Sequence, residues 1–348
     1  MLSTLHLYLT LGCNLNCEHC WISAGQALND ELTTKEVYKI ISDASELCVK
    51  YIKITGGEPF TRADLPLIAS FANRKRINLT IETNGTLLDE NTARKLQALK
   101  VRLIISVDGH NEDEHDLVRG RGSFKKVING IALLHKYNVG FGINTIATKR
   151  NQKNLLDLID KMFAMGAETC RIGFSIQAVG RGKGFHIESL GFNEVAHVMD
   201  VLRSTDYWRK NQVTTTLPLA LDPRFSGRNC GFGAQLCCIL SNGSVAPCGI
   251  AYEAKELIAG NVRSTPLKEI WGKSPLFGSI RAFQRKDFKG ICGHCLLWSQ
   301  CRGGCRASAY LDSKLRSGYG DLLAPYTLCQ TFYEAGLFPQ EYIADLVK

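Results

Sequence analysis

Six short β-rich runs alternating with amphipathic helical stretches constrain this chain more than any other feature. LHLYLT, YIKIT, LTIET, RLIISV, FGINTIA and TCRIGFSI lie between residues 5 and 176, interleaved with TKEVYKIISDASEL, NTARKLQAL, FKKVINGIALLHKY and NLLDLIDKMFAM. Apolar side chains recur every second position in the runs and at helical spacing between them. Strand, helix and strand in repeated succession require parallel pairing with right-handed crossovers. A doubly wound sheet and a barrel both satisfy that order, and in either one ligands gather at the C-terminal ends of the strands.

After residue 185 the rhythm stops. The helical stretch NEVAHVMDVLRS precedes loop-like sequence up to 229, and from 230 onward the chain is rich in Gly and Cys with little long-range periodicity. Three parts are therefore expected: an α/β unit over 1–185, a bridging segment over 186–229, and a small unit over 230–348. The last should be organised by metal rather than by a large apolar core, and should end in a helix.

Composition matters here because of cysteine. Of fourteen cysteines, three lie at the N-terminus, nine lie between 230 and 329, and Cys48 and Cys170 stand apart. No apolar run reaches eighteen residues, and MLSTLHLYLT lacks the basic stretch and small-residue cleavage site of a signal peptide. The expected location is the cytoplasm, away from membranes. Disulfides are disfavoured in a reducing compartment, so metal or redox use is the better expectation. The formal net charge of +9 is spread in ones and twos, which describes a solvated surface rather than a nucleic-acid interface.

CNLNCEHCW places Cys13, Cys17 and Cys20 in C-x3-C-x2-C spacing on a loop after the first strand. Structural zinc takes four ligands, for which His19 is a nearby fourth, whereas an iron-sulfur cubane on three thiolates leaves one iron open to a ligand. KITGGEP follows the second strand; the pair Gly56 and Gly57 permits close backbone approach, and Glu58 can accept from an ammonium group. Asn84, Ser106 and Asp108 place polar groups at the ends of the third and fourth strands, and Arg119 can pair with a carboxylate. Turn and cap roles are the alternative for each. Cys48 and Cys170 read as buried core residues.

The cysteine loop, with Trp21 directly after it, resembles the cluster loop of the radical S-adenosylmethionine (SAM) superfamily, and GGEP at 56–59 resembles a second motif of that family. The resemblance implies a partial (β/α)6 TIM-type barrel and a [4Fe-4S] cluster on Cys13, Cys17 and Cys20. Its open iron would be chelated by the methionine moiety of SAM, and reductive cleavage would give a hydrogen-abstracting 5'-deoxyadenosyl radical. Carried over by position, Trp21, Gly56, Gly57, Glu58, Asn84, Ser106, Asp108 and Arg119 would contact SAM.

CGFGAQLCCILSNGSVAPC and CGHCLLWSQCRGGC, closed by Cys329, resemble the SPASM domain of many such enzymes. This implies two auxiliary iron-sulfur clusters of the [4Fe-4S] type. Cys292, Cys295, Cys301 and Cys329 would hold the second; Cys230, Cys248 and Cys305 would hold the first, with Cys237 or Cys238 as a fourth ligand. Zinc is the alternative, since C-x2-C pairs also bind it.

SPASM enzymes mostly modify ribosomally synthesised peptides by crosslinking, epimerisation or backbone excision. The resemblance therefore implies a peptide precursor as substrate and an external reductant such as flavodoxin or ferredoxin. An epimerase would need a hydrogen donor, for which Cys170 on the last barrel strand is the candidate. With the first strand starting at residue 5, leader-peptide recognition is expected from the barrel mouth, from the 186–229 segment or from a separate recognition protein. The alternative is a small-molecule enzyme, such as a decarboxylase of a tetrapyrrole or nucleoside-sugar acid. A non-catalytic iron-sulfur carrier would have no use for GGEP. Sulfatase maturation is disfavoured by Gly249, where that subgroup carries an aspartate.

Overall fold

Along the first strand Leu5, Leu7 and Leu9 alternate with His6, Tyr8 and Thr10, and this period of two sorts the two faces of the whole sheet. The computed structural model describes residues 1–99, 101–225 and 230–344. Strands β1 (Thr4–Thr10), β2 (Tyr51–Gly56), β3 (Asn78–Thr83), β4 (Arg102–Ser106), β5 (Phe141–Ile146) and β6 (Thr169–Gly173) pair in parallel in chain order. The crossovers are α1 (Thr34–Glu46), α2 (Leu65–Arg74), α3 (Glu90–Leu99), the pair α4 (Glu112–Arg119) and α5 (Ser123–Lys136), and α6 (Leu155–Ala164). Thr33 and Glu36 form a capping box that starts α1. The three leucines of β1 pack with Ile40 and Ile41 of α1, Ile68 of α2, Ile131 of α5 and Ile159 of α6 in one fully buried core.

The sheet runs on past both expected boundaries. β7 (Val213–Thr215), in the bridging segment, pairs in parallel with β6. β8 (Leu236–Ile239) pairs in parallel with β1, and β9 (Ser244–Ala246) and β10 (Gly260–Asn261) extend it antiparallel, giving ten strands in the order β10-β9-β8-β1-β2-β3-β4-β5-β6-β7. Helix α7 (Phe192–Arg203) is the one legible in NEVAHVMDVLRS.

The C-terminal region departs from its expected organisation. Leu267, Ile270, Phe277, Ile291 and Phe332 join the core that holds Leu5 and Ile54, so apolar packing and not cysteine alone organises this part. Its helices at 267–273 and 275–282 are too short to display a periodic signal. Longer ones follow at α8 (Arg306–Ser317) and α9 (Thr327–Glu334).

The charges show that the sheet curls. His6 on β1 and Glu82 on β3 both feel Arg171 on β6. In a flat sheet β1 and β6 would stand about 24 Å apart, at roughly 4.8 Å per strand, which is too far for such coupling. The inner wall is therefore a partial barrel lined by His6, Lys53, Glu82 and Arg171, with Lys53 and Glu82 ion-paired at 3.0 Å. Among the described residues no helix is long and apolar enough to cross a membrane.

Candidate active site and cluster sites

The glycine pair joins the end of β2 to the cysteine loop. The Gly57 N–H donates to the Thr10 carbonyl at 2.7 Å and the Glu58 N–H to the Gly12 carbonyl at 2.8 Å. A Cβ on Gly56 or Gly57 would overlap the Thr10 or Gly12 carbonyl oxygen, and Gly56 has a φ of +127°. This motif therefore fits against protein backbone, which holds the loop of Cys13, Cys17 and Cys20 at the barrel's C-terminal rim.

Glu58 is fully buried. Its carboxylate accepts from the Phe60 N–H at 3.0 Å, the Thr83 hydroxyl at 2.8 Å and the Asn84 N–H at 2.7 Å. Burial raises its pKa to about 7 against those donors. A carboxylate has about four acceptor sites, so one is left for an ammonium group. Asn84 donates to the Asn14 side chain at 2.9 Å, and the same nitrogen lies 4.0 Å from Cys13 Sγ.

Asp108 anchors the opposite side of the loop. One oxygen accepts from Arg119 Nε at 2.7 Å and meets His19 Nε2 at 2.8 Å, while the other accepts from the Ile146 N–H at 3.0 Å. Burial opposes its charge, but Arg119 and His19 more than offset that and hold it below the usual carboxylate range. A second Arg119 nitrogen stands 4.0 Å from Cys17 Sγ. His19, the candidate fourth zinc ligand, is engaged with Asp108 and lies edge-on to Phe185. Ser106 ends β4 opposite Asn144, and Trp21 packs edge-on to Tyr8 at 6.3 Å.

Two groups escaped the sequence reading. Arg181, in the glycine-rich VGRGKGFH, donates to the Cys17 and Ala24 carbonyls at 2.9 Å each and clamps the loop from outside. The polar inner wall of His6, Lys53, Glu82 and Arg171 was readable from the alternation within each strand.

Alternation also separates the adjacent cysteines. Cys237 packs with Ile239 in the main core on the helix side of the sheet, and burial alone raises its pKa. Cys238 faces the other way, into a cluster with Tyr8 against which Cys248 and Cys305 pack. It feels Cys248 and Cys230, and Cys248 in turn feels Cys230 and Cys305. The geometry therefore gathers Cys238, not Cys237, with Cys230, Cys248 and Cys305. Lys53 acts on three of these, so the group adjoins the inner wall. At Gly249 a Cβ would overlap the Tyr8 ring, which fills the space a side chain would need.

Cys292, Cys295, Cys301 and Cys329 line one cavity with Trp298 and Tyr326. The Tyr326 N–H donates to Cys292 Sγ at 3.4 Å. Burial pushes Cys13 and Cys295 up to about 11 and Cys248 to about 12, so these thiols need an added positive charge to ionise. Iron supplies that charge on binding. Among the described residues no group of three or more His, Cys, Asp or Glu side chains closes tightly enough for a single metal ion. A multi-iron cluster, taking one thiolate per iron, asks for sulfurs held further apart.

The two isolated cysteines behave differently from each other. Cys170 lies in the core between sheet and helices, fully buried, with its pKa raised to about 12 by burial; the structure does not bring it to the inner wall where a hydrogen donor would work. Cys48, expected in the core, is exposed and left-handed (φ 60°) just after α1.

Residues 7–162 match the family model of the radical SAM superfamily, and residues 230–296 match that of the SPASM iron-sulfur cluster-binding domain. The chain is 31% identical to an AdoMet-dependent heme synthase of Methanosarcina barkeri, over 87% of this chain and 90% of that protein. It is 30% identical to the mycofactocin maturase MftC of Mycobacterium ulcerans, over 90% of this chain and 87% of the relative. Among solved structures, Streptococcus suis SuiB bound to its precursor peptide SuiA superposes with a TM-score of 0.78 at 20% identity, over 95% of this chain and 76% of SuiB.

Proposed function

Because this chain belongs to the radical SAM superfamily and carries a SPASM iron-sulfur domain, we propose that it abstracts hydrogen from a ribosomally synthesised peptide precursor and so crosslinks, epimerises or excises part of it. When bound, SAM and the N-terminal cluster supply the 5'-deoxyadenosyl radical. The observation that supports the reading is Arg119, a buried cation held by Asp108 with a second nitrogen 4.0 Å from Cys17 Sγ; in this reading it receives the SAM carboxylate. Cys13, Cys17 and Cys20 hold the cluster, and Glu58 offers its remaining acceptor site to the SAM ammonium. Gly56 and Gly57 keep the loop against β2. Cys230, Cys238, Cys248 and Cys305 hold the first auxiliary cluster, and Cys292, Cys295, Cys301 and Cys329 hold the second. Electrons come from an external reductant such as flavodoxin or ferredoxin.

A second reading has its own support. Lys53 and Arg171 on the inner wall suit a carboxylate, and the similarity to the heme synthase points to a small-molecule acid such as a tetrapyrrole. The deciding experiment combines anaerobic reconstitution, which should load roughly 12 iron atoms per chain for three cubanes, with mass spectrometry of a genomically adjacent peptide after co-expression. A peptide lighter by two hydrogens, or one that gains deuterium from heavy water, supports the first reading. An unaltered peptide together with decarboxylation of an added tetrapyrrole acid replaces it with the second. Cys17→Ala should abolish 5'-deoxyadenosine formation; if the product persists, the loop's assignment is wrong.

A further inference from the structure

Arg306 opens α8 directly after Cys305 and is 4% exposed. One terminal nitrogen donates to the Leu322 and Ala324 carbonyls at 3.0 and 2.7 Å, and the other bonds the Gly303 carbonyl. Room for the guanidinium depends on Gly303, where a Cβ would stand 2.9 Å from Arg306 Cζ. The ring of Phe288 lies 5.0 Å below the cation. None of these partners is a carboxylate. Asp321 feels the charge, yet its own oxygens bond Lys289 Nζ at 2.6 Å and the Leu323 N–H at 2.8 Å.

A buried cation without a counter-charge is costly, and so is a buried donor without an acceptor. Arg306 Nε is such a donor. Among the described residues three buried side-chain nitrogens or oxygens lack a hydrogen-bond partner: His115 Nε2, Trp298 Nε1 and Arg306 Nε. Trp298 lines the cavity of Cys292, Cys295, Cys301 and Cys329, and Gly303 beside Arg306 lines it too. The thiols close enough to act on Arg306 come from both cysteine sets, Cys292, Cys301 and Cys329 of one and Cys305 of the other, and they become anionic when they ligate iron.

We propose that Arg306 is the built-in counter-cation of the auxiliary cluster sites and a donor, with Trp298, toward the second of them. A thiolate-bound cluster is anionic and gains negative charge on reduction, and a nearby cation with a free N–H favours the reduced form. Arg306 therefore raises the auxiliary reduction potential and makes these sites better electron acceptors. It is a positioning residue, acting through the clusters rather than on SAM. The inference rests on the cysteine assignment above, which the iron content and spectrum of the wild-type protein test separately.

The experiment is a redox titration followed by electron paramagnetic resonance on anaerobically reconstituted wild-type, Arg306→Gln and Arg306→Lys proteins, with iron counted in each. Arg306→Gln should keep its iron and show a more negative auxiliary midpoint, while Arg306→Lys, which retains the charge, shifts less. Loss of auxiliary iron in Arg306→Gln but not in Arg306→Lys also supports the counter-cation role. Unaltered midpoints in an iron-replete Arg306→Gln overturn it. Equal iron loss in both variants overturns it as well, because the residue would then serve the fold through its carbonyl bonds.

Discussion

Asp108 accepts Arg119 Nε at 2.7 Å while another nitrogen of the same guanidinium stands 4.0 Å from Cys17 Sγ. The carboxylate thus decides where the cation points. Asp108→Asn leaves a buried Arg119 unpaired, which costs about 3–5 kcal/mol of stability, and SAM affinity falls with it. Denaturant midpoints and SAM titration calorimetry check both. The folded pKa of Asp108 lies below its unfolded value, so the stability it contributes is present above the ordinary carboxylate range and is lost as pH falls through the depressed folded value.

Glu58 has the opposite sign. Its pKa is raised from 4.5 to about 7, so the folded protein holds the proton more tightly than the unfolded chain does. The resulting stability is full below the unfolded value and is lost as pH rises through about 7, a loss on the order of 3 kcal/mol. Urea midpoints at pH 5 and pH 8 should differ in this sense for the wild type, and Glu58→Gln should flatten the difference.

Gly57→Ala forces a methyl group into the Gly12 carbonyl, which belongs to backbone and cannot swing away. Overpacking of this kind costs about 1–3 kcal/mol, and here the strain falls on the cysteine loop. Iron at the N-terminal site and the yield of 5'-deoxyadenosine should both drop, while the auxiliary signals persist.

The adjacent cysteines should separate cleanly. Cys238→Ala should change the paramagnetic spectrum of the first auxiliary cluster, and Cys237→Ala should leave it intact because that thiol packs among Ile239 and its core neighbours. The reverse outcome would reassign the ligand.

Cys170→Ala should leave product formation unaltered and lower thermal stability by about 1 kcal/mol, as a small core truncation does. A lost product with SAM cleavage preserved would restore the hydrogen-donor role to this residue.

Much of the fold was legible in the sequence. Local patterns carried it: the period of two placed β1 to β6, and helical spacing placed α1, α3, α5, α6 and α7, each within a few residues. Helix α2 was missed because Pro66 in its first turn mimics a break, and α4 because its residues are almost all polar. The cysteine spacings marked the candidate sites: Cys13, Cys17 and Cys20 share one short loop, whereas Cys305 and Cys329 reach their groups from distant parts of the chain.

By itself the sequence determined the alternating α/β order, the cysteine loop after β1, the glycine pair after β2 and the two remote cysteine sets. Tertiary structure alone decided which of Cys237 and Cys238 faces those sets, that Cys170 turns toward the helices, that Asp108 aims Arg119, and that Arg306 lies among cysteines of both auxiliary groups. Spacing along the chain fixes which residues can meet; the pleat of a strand and the curl of the sheet choose the side on which they do.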